Sequence, residues 1–406
     1  MSGGLELAFY GDDLTGSTDA MEALTLSGKP TCLYLGAPDP AAIARRHDLR
    51  AVGIAGVSRG KSPAWMDEML PPMFRALRDT GAPLVHYKVC STFDSAPALG
   101  NIGRAIEIGL AVFGCEVVPI VVGVPRLGRY TAFGHLFASY LDIAAIPHRI
   151  DRHPVMSVHP RTPMTEADLL RHLRGLTELP VALVDFRSVR FSAPMLPRAG
   201  AVLIDVLDAE TSAATGRLLK NFPWPRRPGF VVGSSGVEYA LMDAEPTASP
   251  GPIFPRPREA DRILVLSGSA SATTAAQIAF AEQAGWVVLD ADTRGLADKR
   301  RSAGRGMRAE IWHSARCRVR FPDWAPERRD RHVVRILAQS AVGCRASVDG
   351  IREIRRGQPE LAGGAIAQEG ARGRGIDRPL LTDCSRMPSI ATGMISRYWY
   401  TDCAEK

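Results

Sequence analysis

A chain of 406 residues with 46% hydrophobic and 23% charged residues has the composition of a globular protein long enough for two domains, and no apolar run reaches the roughly 20 residues that span a bilayer. The net charge of +7 does not point to nucleic acid: residues 293–406 hold 23 Lys and Arg against 13 Asp and Glu, the part before them 27 against 30, and the basic residues form no stripe. The seven cysteines are scattered without a Cys-x-x-Cys pair, which argues against a disulfide framework or a zinc site.

The start, MSGGLELAFYGDD, lacks the basic segment and cleavage site of a signal peptide, so a cytoplasmic protein is expected. LELAFYG reads as a strand, STDAMEALTLSG as a helix capped by Ser or Thr and stopped at Gly28, and TCLYLG and AVGIAGV as strands. The rhythm continues with helices in PAWMDEMLPPMFRALRDTG and NIGRAIEIGLAVFG and strands in LVHYKV, VVPIVVGV, VALVDF and AVLIDVLD. GFVVGSSGVEYALM reads as strand, turn and helix. Such alternation predicts an α/β fold, a mostly parallel sheet flanked by helices.

A proline-rich stretch at 246–260 predicts a linker between a first domain at 1–245 and a second at 261–406. There ILVLSGSASATTAAQIAFAEQAGWVVLDAD restarts the strand and helix rhythm, so each domain is expected to hold a mostly parallel sheet with flanking helices. Residues 293–406 are atypical, rich in Arg and Gly, and only HVVRILAQSAVG reads there as a helix. The second domain is therefore expected to be incomplete or aberrant after about residue 292.

In a parallel α/β sheet, ligands bind beyond the carboxyl ends of the strands, so the strand-to-loop junctions carry the chemistry. At the first junction, Asp12 and Asp13 are adjacent; one can cap the next helix while the other faces a site, as a base toward a hydroxyl or as a Mg²⁺ ligand. Adjacent spacing disfavours a haloacid-dehalogenase phosphatase, which needs Asp-x-Asp. At the second, Lys88, Ser91, Thr92, Asp94 and Ser95 follow a strand, and Gly100 to Gly103 open a helix whose N-terminus can hold an anion; the bland reading is a turn. The third offers Arg126, Arg129 and His135, an Arg at a strand end being a bidentate clamp for carboxylate or phosphate where it is not merely a surface residue. In SVHPRTPMTEADLLRHL, Thr165 with Asp168 matches a capping box, leaving His159, Thr162 and Met164 free to serve a site. In the second domain Ser267, Gly268, Ser269 and Ser271 follow a strand and open a helix near Thr273, an arrangement that admits phosphate, although it is no P-loop and lacks Gly-x-Gly-x-x-Gly. Gly233-Ser234-Ser235-Gly236 is a similar turn.

Together, DDLTGSTD, KVCSTFDS with GNIG, GR at 128 and 129, HPRTPM and LSGSASATT resemble, in order and over about residues 5 to 290, the four-carbon acid sugar kinases. The resemblance implies a sugar-acid-binding first domain, an ATP-binding second domain and chemistry between them, with ATP and Mg²⁺ required. It implies catalytic roles for Asp12 and Asp13, substrate contacts for Lys88, Ser91, Thr92, Asp94, Arg129, His159 and Thr162, and nucleotide contacts for Ser267, Gly268 and Ser269; no metal-binding residue is assigned. The implied partners are a small sugar acid and ATP, with neither nucleic acid nor membrane, and a homodimer stands beside the monomer. The chain departs from the family late: the second Gly-rich element, of the kind Gly-Gly-Asp/Glu-Thr-Ser, is missing, AGGAIAQEG at 362–370 supplying only the two glycines. The expectation is a kinase for a terminal hydroxyl of a threonate, erythronate or 3-oxo-tetronate type acid. The alternative is a catalytically impaired sugar-acid-binding pseudokinase with a defective ATP site, its 293–406 region read out of frame or so diverged that the ATP site is incomplete. An unrelated Rossmann-type oxidoreductase is the weakest reading, for want of a dinucleotide fingerprint.

Overall fold

In the computed structural model, which describes residues 4–140, 146–159, 161–190, 196, 198, 200–245, 262–267, 272–286, 288–290 and 332–337, the apolar runs become strands and the periodic stretches between them helices. In chain order these are β1 (Leu7–Gly11), α1 (Leu14–Leu26), β2 (Thr31–Tyr34), α2 (Pro40–Ala44), β3 (Ala51–Ala55), α3 (Pro63–Arg78), β4 (Leu84–Lys88) and α4 (Ile102–Phe113). Then follow β5 (Val117–Val121), β6 (Arg129–Ala132), β7 (His135–Ala138), β8 (His148–Arg149), α5 (Leu169–Arg174), β9 (Val181–Val184) and α6 (Phe186–Val189). β10 (Gly200–Ile204), α7 (Ala209–Lys220), β11 (Gly229–Gly233) and α8 (Gly236–Asp243) complete the elements described in the first of two units.

Eight strands form one parallel sheet in the order β2, β3, β1, β4, β11, β5, β10, β9. Five of them, β1, β3, β4, β10 and β11, are buried at every residue, which is why all but β4, with its His86 and Lys88, read as unbroken apolar runs rather than alternating ones. Successive side chains serve opposite faces. Tyr10 and Phe230 join Phe74 of α3 and Ile106 of α4 in one core layer, while Phe9 and Val231 join Leu24 of α1, Leu219 of α7 and Val237 of α8 in the other. β2 and β3 lie on one side of β1, and β4 with the rest on the other. The crevice at the carboxyl ends of β1 and β4 is thus a topological switch point, where ligands collect in such sheets.

Between β5 and β9 the chain inserts a small antiparallel sheet of β6, β7 and β8, which the alternating pattern does not reveal. Its β6–β7 turn is made by Phe133 and Gly134, both at positive φ (51° and 76°), the backbone a two-residue hairpin turn requires.

The second unit contains β12 (Arg262–Ser267), α9 (Ala272–Gln283), β13 (Leu289–Asp290) and β14 (His332–Leu337), its parallel sheet running β12, β14, β13. The segment from His332, expected to be helical, is a strand: its Val-Val-x-Ile run is β-branched, and pairing on both sides overrides the helical pattern. The proline-rich 246–260 stretch and the rest of 293–406 lie outside the described residues. Among the described residues no helix is long and apolar enough to cross a membrane.

Candidate functional site

β1 ends in a junction where the two aspartates do different things. Asp13, at extended φ and ψ of −144° and 167°, is the N-cap of α1; its Oδ1 accepts from the Gly16 N–H at 2.6 Å. The cap is therefore Asp13 rather than a Ser or Thr, because the helix starts at Leu14, directly after it. Asp12, one residue earlier, is buried. Arg59, in the loop after β3, donates its backbone N–H to the Asp12 carbonyl (3.0 Å) and forks over both side chains. Its Nε and Nη2 donate to Asp12 Oδ2 (3.0 Å) and Oδ1 (2.7 Å), and its Nη1 to Asp13 Oδ2 (2.8 Å). One guanidinium thus makes two adjacent carboxylates tolerable. Burial still pushes Asp12 up to about 6, outweighing the pull of Arg59.

Lys88 ends β4, and its carbonyl accepts from the Asp12 N–H at 2.8 Å. The side chain is buried, with Nζ 3.2 Å from Asp19 Oδ2 and donating to the Val89 carbonyl at 3.1 Å. Burial alone depresses its pKa, but Asp19 and the acids around it more than offset this and leave it raised. Gly16 lies under the same spot: a Cβ there would sit 2.6 Å from Asp13 Oδ1, 3.1 Å from Lys88 Nζ and 3.7 Å from Arg59 Nη2.

The turn after β4 forms a hydroxyl–carboxylate cluster. Thr92 Oγ1 donates to Asp94 Oδ1 (2.7 Å) and Thr162 Oγ1 to Asp94 Oδ2 (2.8 Å), while His159 Nδ1 accepts from the Thr162 N–H (3.2 Å). Burial raises Asp94, but the Arg59 charge and these hydroxyls overcome it and hold the carboxyl below its usual value. Phe93, between Thr92 and Asp94, has φ of 54°, a left-handed conformation costing on the order of 1 kcal/mol or more in a non-glycine residue. Ser91 sits half-buried in the same turn. The Cys90 thiol, raised by burial, lies in electrostatic range of Arg59, Lys88, Arg129 and Asp94, and so marks where three cations converge.

Arg129 opens β6. Its Nη1 donates to the carbonyls of Leu127 (3.0 Å), Gly128 (3.2 Å) and Ser139 (3.2 Å). Nε is buried without a partner, and no acidic side chain pairs with this guanidinium among the described residues. Burial lowers its pKa.

Other expectations resolve differently. Arg126 pairs with Asp243 at 2.8 Å and stacks on Tyr239, and His135 contacts the carbonyl of its own turn residue Phe133. Met164 is core. The α4 N-terminus, expected to hold an anion, is capped by Asn101, which accepts from the Arg104 N–H. No Thr165 capping box forms, because α5 begins at Leu169 and Asp168 is itself the cap. Ser234 is spent on the Val122 carbonyl. Ser267 is the last residue of β12, whereas Gly268 and Ser269 lie outside the described residues. Sequence reasoning missed Arg59, Asp19 and Cys90; the available signal for Arg59 was its place just after the AVGIAGV strand.

Residues 7–241 match the family model of the sugar-binding N-terminal domain. The chain is 45% identical over 315 residues to the 3-oxo-isoapionate kinase of Paraburkholderia graminis, covering 74% of this chain and 65% of that protein. It is 31% identical over 284 residues to the 3-oxo-tetronate kinase of Pseudomonas fluorescens, covering 67% and 62%. The chain thus spans slightly less than two thirds of the length of these relatives. Among solved structures, a Salmonella typhimurium LT2 protein is similar with a TM-score of 0.60 at 22% identity, over 89% of this chain and 80% of that one. A Haemophilus influenzae protein is similar with a TM-score of 0.54 at 19% identity, over 86% and 77%. These likenesses establish the α/β fold.

Proposed function

The chain belongs to the four-carbon acid sugar kinase family, whose sugar-binding N-terminal domain it carries at residues 7–241, and on that premise we propose that it transfers a phosphoryl group from ATP to a terminal hydroxyl of a small sugar acid. A 3-oxo acid is the favoured substrate, since the relatives are named for 3-oxo-isoapionate and 3-oxo-tetronate. The observation that carries this reading is a buried carboxylate poised near 6, Asp12, together with a half-buried guanidinium, Arg129, whose Nε is buried without a hydrogen-bond partner and which has no acidic partner among the described residues. A half-buried guanidinium held by carbonyls alone still lacks a counter-charge and calls for an anion, and the substrate's carboxylate supplies one in bidentate form. Asp12 then takes the proton of the terminal hydroxyl, since each carboxylate oxygen keeps a lone pair beyond its bond to Arg59. As that proton leaves, the hydroxyl oxygen bonds to the phosphoryl group and the bond to the departing nucleoside diphosphate breaks. Lys88 and Arg59 offset the charge that develops, and Asp94 with Thr92, Thr162 and His159 orients the remaining oxygens.

On the nucleotide side, Ser267 closes β12 at its carboxyl end, the edge at which such sheets bind phosphates. All four oxygens of Asp12 and Asp13 are engaged, and no cluster of metal-binding side chains occurs among the described residues. Mg²⁺ is usually held by one or two carboxylates together with substrate phosphates, and bound with the nucleotide it would neutralise phosphate charge. ATP supply places the reaction in the cytoplasm.

A second reading, a sugar-acid-binding protein without catalysis, is favoured by the missing Gly-Gly-Asp/Glu-Thr-Ser element. An ATP-consumption assay over a panel of four-carbon acids and their 3-oxo forms, with calorimetry for the acid and for ATP, separates the two. Turnover of one acid establishes the kinase. Acid binding without ATP binding establishes the second reading, and no binding of any acid ends both.

A further inference from the structure

Arg59 owes its place on the two aspartates to a single 3₁₀ turn, Ser58–Gly60, and three sets of contacts hold that turn. The first ties its backbone to β1: the Gly56 N–H donates to the Gly11 carbonyl (2.9 Å), as the Arg59 N–H does to that of Asp12. The second is Gly100, at φ of 60°, whose N–H donates to the Lys61 carbonyl at 2.8 Å. A Cβ at Gly100 would lie 2.5 Å from the Arg59 carbonyl oxygen. The glycine expected to open an anion-binding helix instead lets the chain close against this turn.

The third set is a pair of tyrosines. Tyr10 of β1 and Tyr87 of β4 are partners in register, stacked with 5.8 Å between ring centroids and 7° between planes. Both are buried in the core layer that holds Phe74 and Phe230. Phenylalanine would fill such a layer as well, whereas a phenol taken out of water must find a partner for its hydroxyl. Here both hydroxyls find theirs in the two residues that precede Arg59. Tyr87 Oη and Ser58 Oγ are 2.9 Å apart, and the Tyr10 hydroxyl is bonded to the Ser58 side chain and the Val57 backbone. Ser58 is itself wholly buried. A Cβ at Gly56 would collide with the Tyr10 hydroxyl, so the loop crosses directly over the phenol. We propose that Tyr10 and Tyr87 are positioning residues: acting through Ser58, they fix the turn that holds the Arg59 guanidinium on Asp12.

The charged and titratable groups that face Asp12 are Arg59 from the loop after β3, Asp13 from its own turn, Lys88 and Tyr87 from β4 and Tyr10 from β1. Asp19 of α1 pairs with Lys88. Of these, Arg59 pulls the Asp12 titration down most. Burial raises both phenols above their usual value, so replacing them by phenylalanine removes no charge and reaches Asp12 only through the turn. This inference rests on the kinase reading, in which Asp12 is the base, for its consequence in turnover.

The test uses the full chain and two NMR measurements: ¹³C titration of the Asp12 carboxyl, assigned with Asp12→Asn, and exchange of the Arg59 Nε–H with water, assigned with Arg59→Lys. In the double variant, Tyr10→Phe with Tyr87→Phe, the Asp12 titration should rise by about one pH unit and exchange at Arg59 Nε should quicken at least tenfold, because the pull of Arg59 is lost. Ser58→Ala, which removes the other end of these bonds, should shift both in the same direction. Phe113→Leu, in the same core layer, should lower the melting temperature and move neither. Unchanged titration and exchange in both hydroxyl variants would make the tyrosines mere core and overturn the proposal, as would an equal shift in Phe113→Leu. If the double variant does not fold, Ser58→Ala decides alone. Where an acid is turned over, the apparent pKa of kcat/KM should follow the same rise. Absence of turnover by the parent chain ends the kinase reading and leaves the two NMR measurements to decide this one.

Discussion

Asp12 and Asp13 show how neighbouring residues of one type acquire different chemistry. Asp13 spends its oxygens on the Gly16 N–H and on Arg59, whereas Asp12 is sunk beside β4 and raised by burial from 3.8 to about 6. Because Asp12 must be ionised to take a proton, kcat/KM is expected to rise with pH through an apparent pKa near 6. Asp12→Asn should lower it at least a hundredfold, while Asp13→Ala costs about 1 kcal/mol of stability as a lost cap. Stability runs the other way. The folded value lies above the unfolded one, so the contribution of this group is fully present below about pH 4 and is lost as the pH rises through 6. A pH–rate profile beside urea melts at pH 4 and 7 checks both signs. Arg129 gives a complementary prediction. The residue is half-buried and its Nε is buried and unsatisfied, an arrangement that costs stability unless an anion arrives. Arg129→Gln is expected to raise KM for the acid at least tenfold while leaving the melting temperature unchanged or higher; a large loss of stability at unchanged KM would make the residue structural.

Among the elements, the β6–β7 hairpin decides where Arg129 stands, because Arg129 is its first residue. The hairpin is docked on the end of β10 by bonds between Thr131 and Val206, N–H to carbonyl at 2.9 Å and Val206 N–H to Thr131 Oγ1 at 2.7 Å. It is also held by Asp205, wholly buried, whose carboxylate accepts from the Gly134 N–H at 3.1 Å and from the backbone of Phe133 and Phe186. Asp205→Ala removes the acceptor of several buried N–H groups at once, an expected cost of about 2 kcal/mol. It should speed amide exchange at 133–134 and raise KM for the acid with little change in kcat, since it displaces Arg129 and leaves Asp12 in place. Exchange mass spectrometry and steady-state kinetics read the two effects. This hairpin was not legible in RYTAFGHLFA, where short antiparallel strands are partly exposed and carry no long apolar run. The parallel strands were legible for the opposite reason: sheet pairs and helices cover both faces, so LAFYG and GFVVG are almost wholly apolar, and LVHYK departs from that only at His86 and Lys88. Arg59 escaped notice because SRGKSP reads as a turn, and only the adjacency of β3 and β1 reveals that its guanidinium meets Asp12.

At the scale of the whole molecule, the two units differ in how far their sequences disclose them. In the first, the parallel strands and their helices alternate at short range, so local periodicity disclosed them, though not the β6–β7–β8 sheet. In the second, β12 pairs with β14 some 65 residues later in the chain, a contact that no local window contains, and HVVRIL was misread as helix for that reason. Because β14 runs between β12 and β13, it holds the second sheet together: Ile336 pairs with Leu266 on one side and Leu289 on the other. Proline in a central strand removes a ladder donor and cannot be accommodated without a bulge. Ile336→Pro is therefore expected to accelerate amide exchange at 262–267 at least tenfold while leaving exchange at 7–11 and 84–88 unchanged. Each unit has its own sheet, so acid binding by the first should change less than twofold, whereas any ATP binding should be lost. If the substitution leaves exchange at 262–267 unaltered, the central strand is not where the pairing places it. If it weakens acid binding as strongly as ATP binding, the two sheets do not fold as separate cores.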